Sequence, residues 1–473
     1  MAAQPLLQDS SDHRARIVGH VDLAQELKTP GPDVSSDKDF LTKQAACPWT
    51  GEQLVRDRDR CIAEILELQA ENRWHDIIAL FHPLEEKAPE LTENGMAGEL
   101  RLKVGFALCR AGRHAEAINC LEPVTVTEPD NAMAHYTLAY TALDALFTAR
   151  ASRQPLPHRE KTKLLKTAHH GFEQACRLRP DSVTFFYRHG VLYKEIEGKP
   201  RRAVPLFEQA VANWQGKDVE TRKKQHQQYP KYIKAMYHLA SCLLTNGRPG
   251  RSLELLEKVL ELDRDRNHMQ PVFKHFAMGK VLHALGRYRQ ALEHLEVAAY
   301  RADREQPVDF VHELAARCHL LLHCPEKAAT SIDCIPPPRR RPYVRWTEAD
   351  VLVAAGRTEK ALQVLAATAE RDRRSRHKSL IRMARIQLTL GRCAEAEQAS
   401  REAAEFCRHS FGNPSHEALF WQAAALYKLR RAGEALQIID ELEKHHFRYP
   451  NFSRLKKLVL EAVSPGKGLS LVK

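Results

Sequence analysis

The chain has 473 residues, 43% hydrophobic and 28% charged, with 21 Gly and 25 Pro. That length would ordinarily fill about three globular domains. Turn residues are too few for an all-β sandwich, and no apolar run approaches the ~18 residues of a membrane span. The 72 Lys+Arg exceed the 60 Asp+Glu, a formal net charge of +12; such an excess favours acidic proteins, nucleic acid or anionic lipid and does not specify a fold. Eleven scattered cysteines without a C-x-x-C pair read as reduced, mostly buried thiols. Met1 to Arg16 carries no apolar signal-peptide core, so a cytoplasmic location is expected.

Residues 1–56 form a distinct arm. Pro, Gly, Ser and Asp cluster at Pro30-Gly31-Pro32-Asp33 and Ser35-Ser36-Asp37, which is linker chemistry. An amphipathic stretch, Ile17 to Leu27, predicts one helix in an otherwise disordered segment.

From residue 57 to 444 the sequence repeats. Aligned on one small or apolar residue, the units fall at Ile77, Ala117, Ala168, Ala203, Ser252, Ala291, Ala328, Ala361, Ala396 and Ala435. A larger apolar residue follows four positions later in most, as at Leu121, Phe207, Leu295 and Leu365, with Ser400 the exception. A turn glycine precedes several of them: Gly112, Gly247, Gly286, Gly356 and Gly391. Ahead of each turn lies another helical period with its own small residue, such as Gly105, Ala139, Gly190, Ala240 and Gly279. Two antiparallel helices approach closely only where both present Gly or Ala. A single hairpin cannot bury its apolar face, so stacked copies must share a core.

Two intervals are long and hold insertions near residues 146–164 and 214–231. Residues 445–473, with Phe452-Ser453-Arg454-Leu455-Lys456-Lys457-Leu458, predict a basic helix that caps the array.

The alternation of small and large residues, closest in Gly190-x-x-Tyr193…Ala203-x-x-x-Phe207 and Gly279-x-x-Leu282…Gly286-Arg287-Tyr288…Ala291, resembles the tetratricopeptide repeat. The resemblance covers residues 57 to 444. It implies an all-α, right-handed superhelical solenoid of about ten hairpins whose first helices line a concave groove. On that template the groove offers Phe106, Tyr136, Tyr140, Tyr187, Lys234 and Tyr237, then Phe273, Phe276, Lys280, Phe310, Arg317, Tyr343, Trp346, Arg385, Phe420 and Tyr427. Aromatic rings beside Lys and Arg make stacking and cation–π platforms suited to extended peptides and to single strands of nucleic acid.

The Lys/Asn/Asn/Lys/Arg clamp by which some co-chaperone adaptors of this superfamily hold a peptide's carboxylate has no counterpart at these positions. Basic clusters lie at Arg339, Arg340, Arg341 and Arg345, and from Arg371 to Lys378, and can take phosphates or acidic peptides. His319 and His323, flanked by Cys318 and Cys324, share helical spacing but lack an evident third ligand, so no metal site is expected. Neither a cofactor motif nor a catalytic one is present.

These observations predict a non-catalytic adaptor with no cofactor, holding an extended, acidic segment of a protein partner. Interferon-induced members of the superfamily bind RNA in a basic interior, and single-stranded RNA binding is the alternative. Metal-dependent hydrolysis at His319 and His323 stands third.

Overall fold

The computed structural model describes residues 51–152, 156–303 and 306–463. Most of the expected arm, with its Ile17 to Leu27 helix, lies outside the described residues, as do residues 464–473 of the tail. The chain divides into two compact units, one ending at Gln270 and the other beginning at Pro271. Among the described residues there are helices and turns but no strand.

In the first unit α1 (Gly51–Ala70) pairs with α2 (Trp74–Phe81), and two short helices follow, α3 (Leu84–Lys87) and α4 (Pro89–Glu93). Three hairpins come next: α5 (Gly98–Arg110) with α6 (His114–Thr127), α7 (Ala132–Ala151) with α8 (His158–Leu178), and α9 (Val183–Val191) with α10 (Pro200–Gln215). After α11 (Val219–Lys224), α12 (Tyr229–Thr245) pairs with α13 (Pro249–Leu262). The second unit holds α14 (Pro271–Ala284) with α15 (Tyr288–Tyr300), α16 (Asp309–Leu321) with α17 (Pro325–Asp333), and α18 (Pro342–Ala354) with α19 (Thr358–Arg371). It continues with α20 (Arg376–Thr389) and α21 (Cys393–Phe411), α22 (His416–Lys428) and α23 (Ala432–Lys444), and a single last helix, α24 (Phe452–Val463). Each unit is thus a helical solenoid of five hairpins.

The small-residue register sets how closely each hairpin closes. All ten aligned positions, from Ile77 to Ala435, are fully buried. A Cβ added to Gly105 would stand 2.6 Å from Leu121 Cγ, one at Gly190 2.7 Å from Phe207 Cε1, and one at Gly279 2.8 Å from Leu295 Cδ2. The small residue of the first helix therefore receives the large residue of the second. Burial of each such Phe or Leu stabilises by roughly 1.5–3 kcal/mol. Where the register carries a serine, its hydroxyl is satisfied: Ser252 donates to the carbonyl of Ala240 across the hairpin at 2.7 Å, and Ser400, in place of the large residue, to that of Ala396 in its own helix at 2.7 Å.

The turns share one geometry. Gly112, Gly247, Gly286, Gly356 and Gly391 have φ between +74° and +78°, a region that costs an L side chain energy. Asn72, His323 and Arg430 adopt a similar left-handed conformation in three other hairpins, and Gly198 in a fourth. The following N–H closes the helix end. Those of Arg113, Arg248, Arg287, Arg357 and Arg392 donate to the carbonyl five residues earlier at 2.8–2.9 Å, the six-to-one bond of a Schellman turn.

The first insertion is largely absorbed as length: α7 and α8 run to 20 and 21 residues. The second forms α11 and a 3₁₀ turn (His226–Gln228), with Trp214 packed on Tyr229 and Tyr232 and Arg222 donating to the carbonyls of Trp214 and Gln215. At the far end of the second unit, Phe452, Leu455 and Val459 of α24 pack against the core that holds Phe420, Ile439 and Leu442. All ten described cysteines are free thiols, six of them buried. No helix among the described residues is long and apolar enough to cross a membrane.

Gly190→Val drives two methyl groups toward the Phe207 ring and is expected to cost about 1–3 kcal/mol, read as a lowered urea midpoint. Gly250→Ala, at a helical position with open space around it, is expected to leave stability equal or up to ~1 kcal/mol higher.

Candidate interaction surfaces on the first helices

In the first unit the expected groove residues separate by burial. Phe106 and Tyr136 are partly exposed, whereas Tyr140, Tyr187, Lys234 and Tyr237 are buried. Tyr187 is 1% exposed and lies against Phe207 and His238, with ring centroids 6.2 and 5.9 Å away. It is a core residue between hairpins and presents nothing to a partner. Tyr136 stacks on Phe185 at 4.6 Å and Tyr140 carries the Arg188 guanidinium at 5.1 Å. Trp74 meets Phe106 edge-on at 5.7 Å and lies under Arg110. Lys194 places Nζ 2.7 Å from both the Glu195 carboxylate and Nδ1 of His238. Burial, reinforced by Lys194, Lys234 and Arg188, drives the His238 pKa well below the ordinary range. The neutral ring accepts a hydrogen bond from Lys194 through Nδ1.

In the second unit Phe276, Lys280, Arg317, Tyr343, Arg385 and Tyr427 are partly exposed, and Phe273, Phe310, Trp346 and Phe420 are buried. Phe276 meets Phe310 edge-on at 4.5 Å with Lys280 over its face at 5.8 Å. Trp346 is held by its indole N–H donating to Ser379 Oγ at 2.9 Å. Its ring carries the Arg382 guanidinium at 4.6 Å and the Lys378 ammonium at 5.7 Å, two side chains that α20 stacks on one face at i, i+4 spacing. Arg385, one turn further, lies 5.7 Å over Trp421.

Two acids sit among these cations. Thr347 donates to the buried Glu313 carboxylate at 2.6 Å. Burial pushes the Glu313 and Asp350 carboxyls above the ordinary range, opposed by Arg317 and Arg382 at both sites and by Arg385 at Asp350.

The cluster at Arg339 to Arg345 serves mainly as a structural tie. Arg339 pairs with Asp309 at 2.6 Å, and Arg340 and Arg345 grip opposite oxygens of Glu348 at 2.8 and 2.9 Å while also reaching the carbonyls of Ile335 and Pro337. Arg341 is exposed. His319 and His323 do not share a helix face, because His323 is the left-handed turn residue after α16 and Cys318 points into the core. Among the described residues, groups of three metal-ligand side chains converge elsewhere, at Cys109, His114 and Asp144 and at His169, Glu173 and His189.

Reading the sequence by first-helix positions finds Trp346 and Arg385 but omits Trp74, Arg188, Lys378, Arg382 and Trp421. The i, i+4, i+7 spacing of Lys378, Arg382 and Arg385 was the available signal. It is masked by the basic run from Arg371 to Lys378, whose first part is solvent-facing.

His283, beside Tyr288, has its pKa lowered to about 4 by burial and then by Arg317. Between about pH 6.5 and 4 the folded His283 binds fewer protons than the unfolded chain, so its contribution to stability falls as pH drops through that window. Each unit of displacement corresponds to about 1.4 kcal/mol. His283→Gln is expected to flatten the dependence of the urea midpoint on pH between 6.5 and 4.

A tetratricopeptide-repeat family model matches residues 197–267, from the start of α10 through α13. No curated protein matches the chain. Solved structures match at low identity. PilW, a type IV pilus biogenesis factor, is 15% identical, with 50% of this chain and 91% of that chain covered and a TM-score of 0.37. A tetratricopeptide repeat protein from Parabacteroides merdae is 13% identical, with 58% and 93% covered and a TM-score of 0.41. The human IFIT1 dimer with PPP-AAAA is 16% identical, with 84% and 89% covered and a TM-score of 0.41. With its glycine-turned hairpins and small-to-large register, the chain resembles the tetratricopeptide-repeat superfamily, a fold of protein-interaction scaffolds.

Proposed function

We propose that the protein is a non-catalytic adaptor of the cytoplasm that holds an extended, acidic segment of a partner protein on the first-helix surface of its second unit, thereby assembling or regulating a complex. In this reading residues 57–444 are the working array, residues 445–473 cap it, and residues 1–56 are an appended arm. The observation that carries it is the Trp346 platform, where Lys378 and Arg382 are stacked on one indole whose own N–H is already satisfied by Ser379. Such a platform presents two partly exposed cations in fixed positions, which lowers the entropic cost of gripping a flexible carboxylate-bearing chain. Lys280 on Phe276 repeats the motif within the same unit.

The test is binding of the full chain to acidic peptides and to single-stranded RNA across a salt series. Lys378→Glu/Arg382→Glu is expected to weaken peptide binding at least 10-fold, and the wild-type affinity is expected to fall only shallowly with salt. Copurifying RNA, with affinity that collapses steeply as salt rises, would replace this reading with single-stranded RNA binding.

A further inference from the structure

We propose that His169, Glu173 and His189 form a zinc site in the first unit, with the Glu197 carboxylate fixing the His169 ring by a hydrogen bond. His169 and Glu173 lie four residues apart on α8 and so share one face, and His189 comes from α9 in the next hairpin. Their ligand atoms, Nδ1 or Nε2 of the histidines and a Glu173 oxygen, all lie within 4.8 Å of one another. The decisive distance is between the rings: His169 Nδ1 stands 3.2 Å from His189 Nε2. Two nitrogens bound to one zinc at 2.0–2.1 Å and a tetrahedral angle are separated by about 3.3 Å, so this spacing suits two ligands of one ion. Glu173 is exposed, and a carboxylate oxygen lies within 4.8 Å of both ring nitrogens. The fourth position is left to water.

The protonation pattern agrees. His169 Nε2 lies 3.1 Å from the Glu197 carboxylate, which can only accept, so that nitrogen carries the proton and Nδ1 keeps its lone pair toward His189. A carboxylate fixing the tautomer of a liganding imidazole is the usual outer shell of a zinc site. His189 Nε2–H then donates to His169 Nδ1. A second, independent feature marks the place. The helix that carries His189 continues as a π turn, Leu192–Ile196, whose C-cap is Glu197. Single π turns gather at functional sites, and this one delivers Glu197 to His169. Tyr193, within the π turn, stacks against both rings at 4.6 and 5.1 Å.

The other converging group is less suited. His114 Nε2 is in direct contact with the Asp144 carboxylate at 2.9 Å, closer than two ligands of one zinc, and burial pushes the Cys109 thiol up to about 12.

The full chain, stripped with a chelator, should be titrated with Zn²⁺ in competition with a chromophoric zinc indicator and, separately, with Co²⁺ while visible absorption is followed. Wild type is expected to bind one more zinc per chain than His169→Ala, and to give the intense absorption of tetrahedral cobalt. Glu197→Gln, which keeps all three ligands, is expected to weaken zinc about 10–100-fold. Glu173→Gln, exposed and without structural consequence by circular dichroism, is expected to weaken it at least 10-fold even if His169→Ala does not fold. His114→Ala should leave the affinity unchanged. Equal zinc uptake by wild type and Glu173→Gln, or no stoichiometric zinc at micromolar concentration, would overturn the site.

Discussion

The rest of the structure depends on the close approach of two helices at a small residue. At Gly105, Gly190 and Gly279 the partner's Leu or Phe occupies the volume where a Cβ would sit. This contact fixes the separation within a hairpin, and the left-handed turn residue ahead of it fixes where the second helix begins. Once both are set, the faces left apolar have one place to go, which is the next hairpin. Interiors packed at crystal-like density transmit such a constraint, since a displacement of a few tenths of an ångström at one layer must be taken up by its neighbours. Where the register carries a serine, as the small residue at Ser252 or in place of the large one at Ser400, its hydroxyl donates to a carbonyl, so neither hydroxyl is left unpaired.

The same logic decides which first-helix side chains are available for binding. Large rings such as Tyr187, Phe273 and Phe420 fill the spaces between hairpins and are consumed by the core. Cations that remain partly exposed stand on aromatic rings: Arg382 and Lys378 on the buried Trp346, and Arg385 and Lys280 on the partly exposed Trp421 and Phe276. The buried indole, anchored to Ser379, is a rigid base that holds these cations in position. Glu313 and Asp350 lie within the influence of these arginines, and burial raises both carboxyls, which favours their neutral form.

Ten hairpins were legible because their signal is periodic and made of residues with narrow conformational roles. A glycine at +74° to +78° in a turn and an alanine between two helices can be recognised one repeat at a time. The surface was legible only in part. Position within a repeat identifies Trp346 and Arg385, but not that the Trp346 ring is buried while two cations from the next hairpin cover it. Nor does it distinguish Arg339, Arg340 and Arg345, consumed in ion pairs and carbonyl contacts, from arginines that face outward. The metal motif sought at His319 and His323 follows helical spacing, but helix α16 ends at Leu321 and His323 belongs to the turn.

What the sequence by itself determined is the repeating unit: its length, its turn, and the identity of the residues that must touch inside it. Those properties are local, set by backbone conformation and side-chain volume over some forty residues, as with Gly279 against Leu295. Tertiary structure alone decided which groups from different hairpins meet. His169 and His189 come within 3.2 Å, and Arg382 settles on Trp346, because stacking brings together side chains whose separation along the chain carries no periodic mark. Burial and charge depend on those neighbours, and the chemistry of each surface follows from them.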